Sequence, residues 1–183
     1  MVDARELTKK ICLLGDPSVG KTSLIRRFVL DEFDDKYLST IGTKVSKKLL
    51  SVDVPEKDMK VKLTLMIWDV AGQQEYRMFH KMYLKGVEGA FSVGDITRRS
   101  TIETMRNNVQ LIQTEAGSVP IVFLLNKADL AAKTKIDPQE EVAAAQKMHI
   151  TALPTSALTG QNVEEAFRTL GTQMVWRWIE TAL

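Results

Sequence analysis

The sequence has little of what marks a secreted or membrane-inserted protein. Its 183 residues include a single cysteine, Cys12, which has no partner for a disulfide within the chain. No apolar stretch reaches the about 18 residues that a membrane-spanning helix needs. The start of the chain has neither a signal-peptide core nor a glycine after Met1 for myristoylation. We therefore expect a cytoplasmic protein that is not inserted in a membrane.

The sequence also lacks a large excess of either charge. Lysine and arginine number 25 against 23 aspartate and glutamate residues, so the net charge of +2 gives no broad reason to bind nucleic acid. The densest basic stretch, from Lys44 to Lys62, is interpreted as a solvated face. Hydrophobic residues make up 44% of the chain and charged residues 26%, as in soluble globular proteins. Length and composition predict one domain over residues 1–183.

Hydrophobic periodicity predicts the first elements of the fold. The apolar run Lys10–Leu14 is typical of a strand that is covered on both faces. One-turn spacing of apolar residues predicts a helix from Lys21 to about Asp31. Residues 60–68 alternate apolar and polar side chains, which indicates a half-exposed strand. Turn residues before it join this strand to residues 44–54 as an antiparallel hairpin at a sheet edge.

The rest of the chain alternates short apolar strands with helices. Strands are predicted at 89–93, 121–125 and near Ile150, and this order requires parallel strands with crossover helices. The predicted helix starts are a capping box at Ser100–Glu103, Asp137 before Pro138, and Asn162 with Glu165. The predicted fold is α/β, with a mostly parallel six-stranded sheet, one antiparallel edge strand and helices on both faces.

The loop between the first strand and the first helix has the pattern G-x-x-x-x-G-K-[ST]. Its glycines let the backbone wrap around phosphate oxygens, and the helix N-terminus that follows favours anions. Lys21 supplies a positive charge for the outer phosphates, and Thr22 offers a hydroxyl to magnesium. The residues predicted to bind phosphate are Gly15, Asp16, Pro17, Ser18, Val19, Gly20, Lys21, Thr22 and Ser23.

A second motif, N-K-x-D at Asn126–Asp129, selects the base. It follows a predicted strand, at the edge where ligands bind in open parallel sheets. The carboxylate of Asp129 can accept hydrogen bonds from N1–H and the exocyclic amine of guanine, a pattern that adenine cannot donate. Asn126 can bridge the base and the loop, and the stem of Lys127 can lie along the ring.

A third motif ends the alternating strand and places a carboxylate and a glycine beside the terminal phosphate. Asp69 is expected to hold magnesium through water, and the Gly72 N–H to contact the γ-phosphate. Gln73 is expected to orient the attacking water.

With these three motifs in this order, the chain resembles a small GTPase of the Ras superfamily, most closely the Rab branch, over nearly all its residues. The resemblance implies a P-loop G domain, with GTP or GDP and Mg²⁺ as ligands and a role in signalling or vesicle trafficking. It also implies switch segments near 35–46 and 70–82. Further residues that the resemblance assigns to nucleotide or metal are Phe33, Tyr37 and Thr40, and the last base-binding residues Ser156, Ala157 and Leu158.

Three features depart from the family pattern. Pro17 stands where Ras proteins have glycine and Rab proteins usually a small residue, and its fixed φ and missing N–H alter the loop beside the γ-phosphate. Gly94 stands where Rab proteins usually carry a bulky residue. The last residues, Glu180–Leu183, include no cysteine, so we expect no lipid anchor in this chain; either a lipidated tail has been removed or the protein takes none.

The resemblance implies a switch that hydrolyses GTP slowly, with Lys21, Thr40, Gly72 and Gln73 as the catalytic residues. We expect a monomer that binds effectors, an exchange factor and an activator that donates an arginine. No arginine of the chain is assigned to the γ-phosphate, and Arg77, Arg98 and Arg99 stay open.

Two alternatives remain open at this point. One is a GTP-binding interaction module with negligible hydrolysis, which Pro17 favours. The other is an ATP-dependent P-loop kinase or ATPase, which the base motif disfavours.

Overall fold

The computed structural model describes residues 3–31, 43–70 and 82–182. Within them, a six-stranded sheet has the order β2-β3-β1-β4-β5-β6. The strands are β1 (Asp3–Leu14), β2 (Thr43–Val54), β3 (Met59–Val70), β4 (Gly89–Asp95), β5 (Ile121–Asn126) and β6 (Thr151–Pro154). Of the strand pairs in the described ranges, only β2–β3 is antiparallel, and β2 forms the edge, as the sequence predicts.

Four long helices accompany these strands in the described part of the chain. They are α1 (Lys21–Leu30), α2 (Arg99–Ala116), α3 (Pro138–Lys147) and α4 (Val163–Ala182), with short 3₁₀ segments at Pro55–Lys57 and Ala128–Lys133. Among the described residues, no helix combines the length and the hydropathy needed to span a membrane.

The helices cover both faces of the sheet, as predicted. On one face α1 and α4 pack through Phe28 and Phe167, whose rings stack with centroids 3.9 Å apart, and Phe91 of β4 meets Phe167 edge-on. On the other face, a second buried cluster joins Ile102 and Met105 of α2 to the sheet. These two layers hold the strand ends, and hence the loops that follow them, in fixed positions.

The first strand is longer than predicted. β1 begins at Asp3 rather than Lys10, and its pairing with β3 runs from Asp3 opposite Met59 to Leu13 opposite Asp69. The added half is polar because one of its faces is open to solvent, and there Glu6 lies 3.5 Å from Lys62 on the neighbouring strand. Interstrand pairing, which the local sequence does not reveal, therefore extends the strand.

The predicted helix starts have different outcomes. Asp137 caps α3 as predicted, since its carboxylate accepts a hydrogen bond from the Gln139 N–H at 2.8 Å. The capping box at Ser100 is wrong, because α2 begins at Arg99 without a side-chain cap. The neighbouring hydroxyl of Thr101, which is buried, accepts from the Asp95 N–H at 2.8 Å and so fixes the start of α2 on the end of β4.

Asn162 directly precedes α4, as predicted, but its side chain has another role. The Asn162 amide donates to the Pro154 carbonyl at 2.8 Å, which ties the start of α4 to the end of β6.

The glycine at position 94 leaves room for α2. A Cβ at Gly94 would lie 2.7 Å from Cδ1 of Ile102 and 3.4 Å from the sulfur of Met105. Gly94 therefore lets α2 pack close to β4, at a position where the family usually carries a bulky residue.

Candidate functional site

The candidate site lies at the carboxyl edge of the parallel strands. The loop after β1 leads into α1, Asp69 lies at the end of β3, and the loops after β5 and β6 begin at Lys127 and Thr155. Open α/β sheets bind their ligands at this edge.

The glycine-rich loop requires glycine for reasons of space. A Cβ at Gly15 would lie 2.4 Å from the Val93 carbonyl oxygen, and one at Gly20 would lie 2.2 Å from Nδ2 of Asn126. Gly20 also has a φ of 103°, in the left-handed region. Ser18 has a φ of 64° without being glycine, a strained conformation that the motif did not predict.

Lys21 is held inside this loop. Its side chain is only 7% exposed, and its ammonium donates to the carbonyls of Gly15 at 2.8 Å and Asp16 at 3.1 Å. Burial lowers the pKa of Lys21 to about 8; Asp69 and Asp16 oppose this shift, and the positive charge of Arg98 adds to it. A buried cation that is bonded to carbonyls would gain strongly from an anionic partner such as a phosphate.

Thr22 and Asp69 meet at the edge of the loop. The Thr22 hydroxyl donates to Oδ2 of Asp69 at 2.5 Å, and Asp69 is 2% exposed. Among the residues that the structure describes, Oδ1 of Asp69 is the buried side-chain polar atom without a hydrogen-bond partner. Burial raises the pKa of Asp69, while the Thr22 hydroxyl and the charges of Lys21 and Lys44 oppose the shift.

This pair fits a hydrated magnesium ion. An unpaired buried carboxylate oxygen is costly unless a ligand or water satisfies it, and hard oxygen donors beside a phosphate site are what Mg²⁺ prefers. Thr22 and Asp69, which the sequence analysis assigns to magnesium, therefore lie in direct contact.

Asn126 joins the base loop to the phosphate loop. Its Nδ2 donates to the Val19 carbonyl at 2.8 Å, and its Oδ1 accepts from the Ala157 N–H and the Thr155 hydroxyl, both at 3.3 Å. Asn126 and Thr155 are fully buried. One amide thus joins the loops that follow β1, β5 and β6.

The other base-motif residues lie around this amide. Oδ1 of Asp129 accepts from the Ser156 hydroxyl at 2.6 Å, and this hydroxyl also accepts from the Thr159 N–H. The ammonium of Lys127 lies 2.6 Å from Oδ2 of Asp95. Leu158 is about half exposed at the rim.

Two arginines that the motifs did not assign also hold the site. Arg27 of α1 donates to the carbonyls of Ala157 at 2.9 Å and Leu158 at 2.6 Å, which ties the last base-binding loop to the helix after the phosphate loop. Arg98 donates to the Pro17 carbonyl at 2.9 Å and to Asp95 at 3.1 Å. The bonds to the loop carbonyls have no signal in the local sequence, because each joins residues from distant parts of the chain.

Arg99, in contrast, is engaged away from the site. Its guanidinium lies 2.5 Å from the carboxylate of Glu141, which is buried and also pairs with Arg106. The remaining predicted residues, Phe33, Tyr37, Thr40, Gly72, Gln73 and Arg77, lie outside the described residues, as do most of the two predicted switch segments.

Comparison with known proteins agrees with this geometry. The sequence model of the Ras family matches residues 10–175. The chain is 36% identical to "Ras-related protein Rab-13" of Canis lupus familiaris over 176 residues, which cover 96% of this chain and 84% of that protein. It is 36% identical to "Ras-related protein RABA4b" of Arabidopsis thaliana over 166 residues, covering 90% and 71%. The match to "Ras-related protein Rab-1A" of Dictyostelium discoideum is 37% over 166 residues, covering 90% and 79%.

Proposed function

The chain belongs to the Ras family and is a Rab-like small GTPase, and from this we propose that it is a switch that binds GTP or GDP with Mg²⁺ and hydrolyses GTP slowly. The observation that supports this proposal best is the Asn126 amide, which bonds Val19 of the phosphate loop and Ala157 of the last base loop. One nucleotide could therefore contact both loops at once.

The base would be read at the rim of this pocket. Asp129 would exchange its hydrogen bond from Ser156 for bonds from N1–H and the exocyclic amine of guanine. The Ala157 N–H would meet the guanine carbonyl, and the stem of Lys127 would lie along the ring. A carboxylate acceptor that the bound base covers rejects a base that lacks the matching donors more strongly than an apolar pocket could.

The triphosphate would lie on the glycine-rich loop. Lys21, now bonded to the Gly15 and Asp16 carbonyls, would turn its ammonium to the outer phosphates. Thr22 and, through water, Asp69 would hold Mg²⁺, with Thr40 as a further ligand in the GTP state; the ion would neutralise charge on the phosphate oxygens.

Hydrolysis would need little from the protein besides position and charge. Water attacks the γ-phosphorus, the bond to the β,γ-bridging oxygen breaks, and GDP and phosphate leave. Lys21 would stabilise the charge on the phosphates, the Gly72 N–H would contact the γ-phosphate, and Gln73 would orient the water. Arg98 bonds Asp95 and the Pro17 carbonyl, and Arg99 bonds Glu141, so we expect faster turnover to need an activator that donates an arginine.

Loss of the γ-phosphate would release Thr40 and Gly72, and with them the segments near 35–46 and 70–82. Effectors would read these segments, and an exchange factor would open the site. The Rab resemblance favours a role in vesicle trafficking, and we propose a cytoplasmic monomer.

A single-turnover assay tests this function. The protein is loaded with GTP, excess nucleotide is removed, Mg²⁺ is added, and phosphate release is followed. We expect one phosphate per site, with a rate constant on the order of 10⁻⁴ to 10⁻³ s⁻¹, the range of small GTPases without an activator. Stable GTP binding without phosphate release would instead identify a GTP-binding interaction module, the alternative that Pro17 favours.

A further inference from the structure

Asp95, the last residue of β4, carries two cations on one carboxylate oxygen. The Lys127 ammonium lies 2.6 Å from Oδ2 and the Arg98 Nε lies 3.1 Å from the same atom. Oδ1 accepts from the backbone N–H and the hydroxyl of Thr97. Asp95 is 1% exposed, so these bonds are the ones that compensate for its burial.

The second end of the Arg98 guanidinium reaches the phosphate loop. Its terminal nitrogen donates to the Pro17 carbonyl at 2.9 Å while Nε remains on Asp95. Pro17 has no N–H, so the carbonyl is its one backbone hydrogen-bonding group. A continuous path thus runs from Pro17 through Arg98 and Asp95 to Lys127.

This path is separate from the bond between Asn126 and Val19. It leaves the loop two residues earlier, at Pro17, and it arrives at Lys127. The three side chains on this path, those of Arg98, Asp95 and Lys127, are all charged. Burial alone would raise the pKa of Asp95, but the hydrogen bonds from Lys127 and Thr97 lower it, so the carboxylate remains ionised.

We propose that Arg98 is a positioning residue whose link between the two loops slows nucleotide release. Arg98 bonds the Pro17 carbonyl of the phosphate-binding loop and the Asp95 carboxylate, and this carboxylate also bonds Lys127 of the base loop. The inference rests on the proposed guanine-nucleotide site. Release requires the two loops to separate, and the Arg98 link opposes that separation. The effect is moderate, because the Arg98 side chain is 40% exposed and its hydrogen bonds compete with water.

The test measures the dissociation rate of GDP that carries a fluorescent N-methylanthraniloyl group, chased with excess GDP. Arg98→Gln should release it about three- to tenfold faster than the wild type, since it removes a charge-assisted bond. Arg98→Lys should lie between the two, because an ammonium cannot span both Asp95 and Pro17 as the guanidinium does. Arg99→Gln is the matched control. It removes the adjacent arginine, which bonds Glu141 instead of the loop, and should leave the rate unchanged.

A double-mutant cycle separates positioning from a general loss of structure. In the Asp95→Asn background, Arg98→Gln should accelerate release less than it does in the wild type, because the anchor of Arg98 is already weakened. The thermal midpoints of Arg98→Gln and Arg98→Lys are compared with that of Arg99→Gln. If Arg98→Gln does not fold, the release rate of Arg98→Lys decides the test.

Equal release rates for Arg98→Gln, Arg98→Lys and wild type, or equal effects of Arg98→Gln in both backgrounds, would overturn this inference alone. A wild-type protein that retains no fluorescent guanine nucleotide would refute the proposed function, and this inference with it.

Discussion

Replacing Asn126 by alanine tests whether one amide holds the site together. The change removes a donor to the Val19 carbonyl and an acceptor for the Ala157 N–H and the Thr155 hydroxyl. All four residues are buried, so water cannot readily replace the lost bonds.

The expected cost follows from these distances. The bond to Val19, at 2.8 Å, is the strong one, and a buried group left unsatisfied costs about 1–3 kcal/mol. The two contacts at 3.3 Å are weaker, so we expect Asn126→Ala to lower the free energy of unfolding by about 2–4 kcal/mol in all. With a urea m value of about 1–3 kcal/mol/M, the midpoint should fall by roughly 0.7 M or more.

Urea unfolding of wild type and variant, with and without saturating GDP, measures this effect. The variant should also gain less stability from GDP, because ligand stabilisation falls as affinity falls. Asn107→Ala is the matched control, since Asn107 is exposed on α2 and its loss should change the free energy by less than about 0.5 kcal/mol. A loss below about 1 kcal/mol in Asn126→Ala, or equal stabilisation of variant and wild type by GDP, would refute this reasoning.

Three further changes test other parts of the account. Gln73→Leu should slow single-turnover GTP hydrolysis about tenfold or more while sparing GTP affinity, and an unchanged rate would remove Gln73 from the mechanism. Gly94→Ala should lower the free energy of unfolding, measured by thermal denaturation, by about 1 kcal/mol, and Gly94→Tyr by about 3 kcal/mol or more, because a Cβ there would lie 2.7 Å from Ile102. If Gly94→Tyr left the stability unchanged, α2 would have to move away from β4 at little cost. Cys12 is fully buried, and this burial raises the pKa of its thiol to about 12. A thiol reagent at pH 8 should therefore label Cys12 only as the protein unfolds, and rapid labelling without denaturant would contradict the burial.

The sequence predicts those parts of the structure that depend on local pattern. The alternation in residues 60–68, the glycine spacing of the phosphate loop and the strand before Asn126 each reflect a short-range requirement, and the structure confirms the elements that they predict. Thr22 and Asp69 are far apart in the chain. They come together because the phosphate loop follows β1, Asp69 lies at the end of β3, and these two strands are parallel neighbours.

The features that could not be predicted depend on contacts between distant segments. The first half of β1 is polar and becomes a strand through pairing with β3. The start of α2 depends on the bond between Asp95 and Thr101, which overrides the capping box at Ser100. The bonds of Arg27 and Arg98 to loop carbonyls exist only once the fold has brought α1 and the end of β4 beside those loops.

The central claim is that Asp129 reads guanine in the pocket whose phosphate end is formed around Lys21. It is tested most directly by competition with GTP, XTP and ATP for a bound fluorescent probe, which is labelled GDP in the wild type and labelled XDP in Asp129→Asn. GTP should displace the probe from the wild type and ATP should not. Asp129→Asn should favour XTP over GTP, because the amide presents a donor to the second carbonyl of xanthine. Equal displacement by ATP and GTP, or an unchanged preference in Asp129→Asn, would contradict it.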